Sequence, residues 1–189
     1  MKILMLLLVA ATSFSRPGWT DVDRDKINTR HEVLMSSSIN APEVECNKNR
    51  CKVVSGLWQC PYTGMITMEP LDLDIDHVVP LKNAYLSGAD VWSKSKWRRF
   101  ANDESNLLAV RASDNRSKGH LGPDRWPSGD KWHGDRYWCD VYLPLFISIK
   151  EKWELELIND EATVRERRCG GSSALGWSTS EPLSSPNRD

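Results

Sequence analysis

The stretch Asp72–Leu81, "DLDIDHVVPL", decides how this chain is read. Three carboxylates, Asp72, Asp74 and Asp76, stand at alternate positions and His77 follows the last directly. Side chains alternate between the two faces of a strand, so the three aspartates are expected on one face and His77 on the other. Asp76 and His77 can then serve one reactant only if the chain turns just after them, and Pro80, expected to end the strand or mark its edge, makes such a turn plausible.

Downstream, "SGADVWSKSKWRRFANDESN" predicts a helix over Ser93–Asn102, capped by Ser93, with Trp97, Phe100 and Ala101 on its apolar side. A strand over Leu107–Arg111 follows, opened by Asn106. "DNRSKG" then predicts a short helix with Asp114 to cap it and Gly119 to stop it. The residues from His120 to Asp135, with His120 and His133, read as a loop, and those histidines are expected in solvent. From Tyr137 to Leu155 apolar residues recur every three or four, a helix stripe that Pro144 must kink or begin.

Upstream, Lys52–Trp58 and Met65–Met68 read as short strands around a turn with Pro61 and Gly64, and Leu71–His77 as a third. A helix is expected over Thr29–Met35, capped by Thr29 or Asn28, with His31 packing or capping. Just before it, Asp21, Asp23, Asp25 and Glu32 fall at positions 1, 3, 5 and 12 of a calcium-loop template. Lys26 stands where that template wants glycine, so a weak structural Ca²⁺ is the minor reading and an acidic turn the major one.

The chain has 189 residues, enough for one domain with a sizeable core. Residues 1–15, with Lys2 and an apolar run from Ile3, have the order of a secretory signal peptide and are too short to span a bilayer. Residues 16–168 are expected to form the single domain, and residues 169–189 a disordered tail rich in Ser, Gly and Pro. The mature protein is therefore expected to be secreted or periplasmic, monomeric and free of membrane. Without Lys2 it carries 24 basic against 26 acidic residues, which excludes binding to nucleic acid through bulk charge. Charge is local instead: residues 66–76 carry a net −4 and residues 91–120 a net +4, a pairing that suits a site where metal ions and phosphates meet. Five cysteines in an oxidising compartment imply two disulfides and one spare thiol, with the pairing open. A structural zinc site is excluded by spacing, since no second Cys or His pair follows Cys46 and Cys51.

"DIDHVVPL" followed by "NLLAVRASDNRSKG" resembles the HNH endonuclease signature, including the HNH domain of CRISPR effector nucleases. A closer likeness, over Asp21 to Leu157, is to small exported bacterial HNH proteins of the DUF1524 type, carried by "TRHEVL", "VVSGLW", "PYTG", "FANDESNLLAV", "NRSKG" and "IKEKW". Lys26 and Cys60 depart from that pattern, where a cysteine and an acidic residue are expected in many members. The resemblance implies an α+β fold: a ββα-metal (HNH) core with an N-terminal small-strand region and flanking helices. It implies a metal-dependent endonuclease hydrolysing phosphodiester bonds of DNA, or of RNA, with His77 as general base. It further implies Asp76 and Asn115 as ligands of one metal ion, Asn106 as a brace for the loop bearing the histidine, and Lys118 or Arg116 on the phosphate.

Residue chemistry points the same way. A neutral imidazole can take a proton from water near pH 7, and two protein oxygens with several waters suit Mg²⁺ or Mn²⁺ better than zinc. Asp74 is the candidate outer-shell partner, and Arg99 and Arg111 join Arg116 and Lys118 as candidate phosphate contacts of low sequence specificity. Two alternatives stay open: a non-catalytic exported module that binds nucleic acid or another polyanion, and a toxin paired with an immunity protein.

Overall fold

The computed structural model describes residues 15–127 and 137–169. The signal-peptide residues before Ser15, the loop bearing His133 and the tail beyond Cys169 lie outside them. The architecture is α+β, with helices around three separate two-stranded antiparallel pairs. Helix α1 (Thr29–Ser36) is capped by Asn28, whose side chain accepts from the His31 N–H, and strands β1 (Glu43–Cys46) and β2 (Cys51–Ser55) form the first pair. Strands β3 (Trp58–Gln59) and β4 (Ile66–Thr67) form the second. The strand expected from Lys52 to Trp58 is thus broken at Gly56, where the Trp58 ring packs so closely that a Cβ would sit 2.5 Å from it.

The third pair positions the site. Strand β5 (Leu73–His77) lies antiparallel to β6 (Leu107–Arg111), with Asp74 opposite Val110 and His77 opposite Leu107. Between them in sequence come α2 (Leu81–Leu86) and α3 (Lys94–Ala101), the latter capped by Ser93, and after β6 comes α4 (Ala112–Lys118). Alternation turns Leu73, Ile75, Leu107 and Ala109 into a small core with Leu34, Val53 and Trp58. Val110 on the opposite face joins a larger core built on Phe100, Trp126, Trp138, Tyr142 and Phe146. The acidic face of β5 is covered by α4. Residues 74 and 76 share a strand face and residues 115 and 118 share a helix face, so each aspartate meets one helix residue. Gly119 ends α4 at φ +56°, a conformation that costs a side-chain-bearing residue free energy.

Three expectations need correction, the first being the strand over Leu71–His77, which begins at Leu73 and leaves Asp72 in the 3-10 turn Pro70–Asp72. The strand ends at His77, before Pro80, and Pro80 opens α2, a helix the sequence reading did not contain, since proline is well suited to the start of a helix. Asp114 lies inside α4 and does not cap it. Pro144 stands in the first turn of α5 (Leu143–Lys152), beginning it, and a π-helical stretch, Trp138–Tyr142, precedes it. The last helix among the described residues is α6 (Val164–Arg168). Disulfides join Cys46 to Cys51 and Cys139 to Cys169, and Cys60 is the buried free thiol. Cys169, placed in the tail by sequence, is therefore tied to the domain. No helix among the described residues is long and apolar enough to cross a membrane.

Candidate active site

Asp76, His77 and Asn115 line one open cleft of about 230 Å³, joined by Arg16, Lys82 and His120. The chain turns immediately after His77, and this turn brings two residues from opposite strand faces to one space. The turn is held by Asn106, which is fully buried. Its side-chain oxygen accepts from the Val79 N–H at 2.8 Å, its amide donates to the Val79 carbonyl at 3.3 Å, and its own carbonyl accepts from the Val78 N–H at 2.9 Å. Asn106 thus closes the backbone of the histidine loop onto the start of β6, where the sequence placed it.

His77 is only 6 % exposed. Its Nε2 lies 2.9 Å from the carbonyl oxygen of Ala101 at the end of α3. A carbonyl only accepts, so Nε2 carries the hydrogen and Nδ1 keeps its lone pair. Burial pulls the imidazole pKa down to about 4, the Ala101 bond opposes this, and the positive charges of Lys118 and Arg16 add to the lowering. The ring is therefore neutral at pH 7. The Trp19 indole stacks on it, with centroids 5.6 Å apart and planes 10° from parallel.

Asp76 is buried against two donors. Lys118 Nζ approaches its Oδ2 at 2.8 Å and its Oδ1 at 3.0 Å, and the Tyr62 hydroxyl donates to Oδ2 at 2.6 Å. The same ammonium reaches the His77 carbonyl at 2.6 Å. Lys118 has no exposed surface, so it does not hold phosphate as the sequence suggested. It neutralises Asp76 and fixes the His77 backbone. Burial lowers the Lys118 pKa, and Asp76 opposes this. Asn115 donates through Nδ2 to Asp74 Oδ2 at 3.1 Å and lines the cleft.

The arginines divide differently. Arg111 and Arg116 line a second cavity of about 420 Å³ with Asp72, Met65 and Cys60, and not the cleft of His77. Arg99 is exposed on α3 beside Ser95 and lines neither. His120, expected in solvent, is exposed and at the edge of the cleft. Tyr62, Trp19, Arg16 and Lys82 were not read as site residues. The "PYTG" likeness contained Tyr62 without saying what it touches, and nothing local marks Trp19 or Arg16.

The carboxylates of Asp21, Asp23 and Asp25 are exposed and lie within 4.8 Å of one another. Their oxygens accept from loop N–H groups, Arg24 and Lys26 on Asp21 at 2.7 and 2.9 Å and Ile27 on Asp25 at 2.7 Å. Lys26 adopts φ +78°, the backbone the calcium template assigns to glycine. The Glu32 carboxyl is shifted upward by burial and then by Glu104, Asp23 and Asp25. The structure thus assembles the acidic loop as an acidic turn bonded to its own backbone.

Residues 18–164 match the family model described as "GmrSD restriction endonucleases, C-terminal domain". The chain belongs to this family. Its description makes this a nuclease family. An uncharacterized secreted protein of Arthroderma benhamiae (strain ATCC MYA-4681 / CBS 112371) is 38 % identical over 147 residues, covering 77 % of this chain and 67 % of that protein. Export, expected from the first residues, agrees with that relative, and this GmrSD-family chain is a secreted protein. No solved structure matches it.

Proposed function

We propose that this protein is a metal-dependent endonuclease of the HNH type, hydrolysing phosphodiester bonds of DNA or RNA with little sequence specificity. The supporting observation is the convergence of Asp76, His77 and Asn115 on one cleft, at the junction of two antiparallel strands and the helix that follows.

His77 acts as general base. Its Nε2–H is committed to Ala101, so Nδ1 takes the proton from the attacking water, and its neutrality at pH 7 keeps that atom ready. Asn106 and Lys118 fix the backbone of the loop that carries the ring. The donor set fits a hard divalent cation. An ionised carboxylate has about four acceptor sites, and Lys118 and Tyr62 occupy three on Asp76, leaving one. Asn115 adds an amide oxygen. Asp76 and Asn115 would hold Mg²⁺ or Mn²⁺ with waters completing the shell, and the ion would polarise the phosphoryl group and stabilise the departing oxygen. Because Lys118 already offsets the Asp76 charge, affinity for the ion is expected to be low.

Supercoiled plasmid and a structured RNA, incubated with the purified protein with and without EDTA, test this reading. Cleavage of either that stops with chelator and returns with Mg²⁺ or Mn²⁺ is the expected result. Binding without cleavage under every metal condition would replace the enzyme by a nucleic-acid-binding module of the same fold.

A further inference from the structure

With Lys118 buried and Arg111 and Arg116 around another cavity, the cleft lacks the phosphate-binding cations that the sequence assigned to it. Two other cations, Lys82 and Arg16, line it, both of them exposed. Arg16 lines the cleft, and its charge acts on His77. Arg16 belongs to an irregular segment laid across the end of α3 and held at several points. The Thr20 N–H donates to the Asn102 side-chain oxygen at 2.9 Å, and the Asn102 amide reaches the Gly18 carbonyl at 3.4 Å. The Thr20 carbonyl accepts from both the N–H and the hydroxyl of Thr29, each at 2.9 Å. Between these ties Trp19 packs on the smaller core and stacks on the His77 ring. Asn102 adjoins Ala101, the acceptor of the His77 Nε2–H, so the end of α3 secures both the base and the strap beside it.

We propose that the strap Arg16–Trp19 is a working part of the site, with Arg16 binding a substrate phosphate at the cleft and Trp19 holding the His77 imidazole in its plane. The inference rests on the phosphodiesterase reading. The ring is held in two ways, by a hydrogen bond at Nε2 and by a flat apolar surface against its face, which leaves its in-plane Nδ1 lone pair open. Gly18, two residues further on, is tied to Asn102, so less of the freedom of Arg16 is lost when it meets phosphate, and its planar fork suits two phosphate oxygens. Trp19 is thus a positioning residue, whereas Arg16 touches substrate.

The test uses the whole protein and whichever of a DNA duplex and an RNA hairpin the wild type cuts. Binding of that nucleic acid, fluorescein-labelled, is measured by anisotropy at several salt concentrations in an H77A background. Arg16→Gln should weaken binding and lower the slope of log affinity against log salt by about 0.7 to 0.9, one phosphate contact, and Arg16→Lys should restore the slope. Trp19→Leu keeps apolar bulk and removes the ring; it should lower kcat by about tenfold to a hundredfold with KM nearly unchanged, and Trp19→Phe should recover most of it. An unchanged salt slope in Arg16→Gln overturns the phosphate role. An unchanged kcat in Trp19→Leu, or a loss that Trp19→Phe does not repair, overturns the positioning role. Failure of the wild type to cut either nucleic acid overturns the nuclease reading and this inference together, whereas normal cleavage by these variants overturns this inference alone.

Discussion

Replacing Lys118 by Met keeps most of the side-chain volume and removes one ammonium that makes three short contacts, to both Asp76 oxygens and to the His77 carbonyl. Neither partner of the pair is appreciably solvated, with side-chain exposures of 0 % and 4 %. Removing one member of a buried pair leaves the other charge uncompensated, which costs about 3–5 kcal/mol. For a domain of this size each kcal/mol moves the melting midpoint by about 2–4 °C, so the loss is about 6–20 °C. The assay is urea denaturation at pH 7 followed by circular dichroism, run on wild type, K118M, D76N and the double variant. Because the two groups touch, K118M and D76N together should cost less than the sum of the two, with an interaction energy of about 2 kcal/mol or more. A lysine that held phosphate from the surface would move stability by no more than about 0.5 kcal/mol and raise KM instead. A loss below about 1 kcal/mol in K118M would therefore refute the buried role.

Asn106→Ala strands the Val79 N–H and carbonyl in a dry place; stability should fall by about 1–3 kcal/mol in urea melts, and kcat should fall as the histidine loop moves. His31 accepts the Val53 N–H through Nδ1 at 3.1 Å, and burial, followed by Arg30, Arg50 and Lys52, lowers its pKa. The unfolded chain therefore binds this proton first. The stability it contributes is complete above about pH 6.5 and is lost as pH falls toward the lowered value. His31→Gln, which keeps an acceptor without the titration, should flatten that part of the decline in urea midpoint between pH 7.5 and pH 5, and an unaltered decline would contradict it. The Cys139–Cys169 bridge spans 30 residues against 5 for Cys46–Cys51. Loop-closure entropy gives it about 3.6 against about 2 kcal/mol, so in calorimetry C139S/C169S should melt well below C46S/C51S.

The residues of the candidate site were legible because each stands in a local pattern. An aspartate and histidine ending a strand, an asparagine opening the next and another within a short helix retain that order when the chain folds, and Asp76, His77 and Asn115 line one cleft with Asn106 bonded to the loop beside it. Lys118 was read correctly as near the site and wrongly as its phosphate ligand. Its spacing from Asn115 puts both on one helix face, but only the packing of α4 over β5 shows that Lys118 is sealed from solvent while Asn115 borders the cleft. Arg111 and Arg116 failed for a related reason: proximity in sequence to Asn115 does not say which side of the strand pair a long side chain serves. Trp19 meets His77 from a distant part of the sequence, through contacts made by an irregular segment, and periodicity carries no information about such a partner. Helix α2 was lost because Pro80 was taken only as a stop, although a proline can also start a helix.

The central claim is that one imidazole does acid–base work on a phosphodiester in the cleft it shares with Asp76 and Asn115. Its most direct test is the rate at which H77A cleaves, in Mg²⁺ at pH 7.5, the nucleic acid that wild type cuts, with folding of the variant verified by circular dichroism. The account predicts a folded protein that still binds this nucleic acid and cuts about 10²- to 10⁴-fold more slowly. A folded H77A that cuts at the wild-type rate would contradict it.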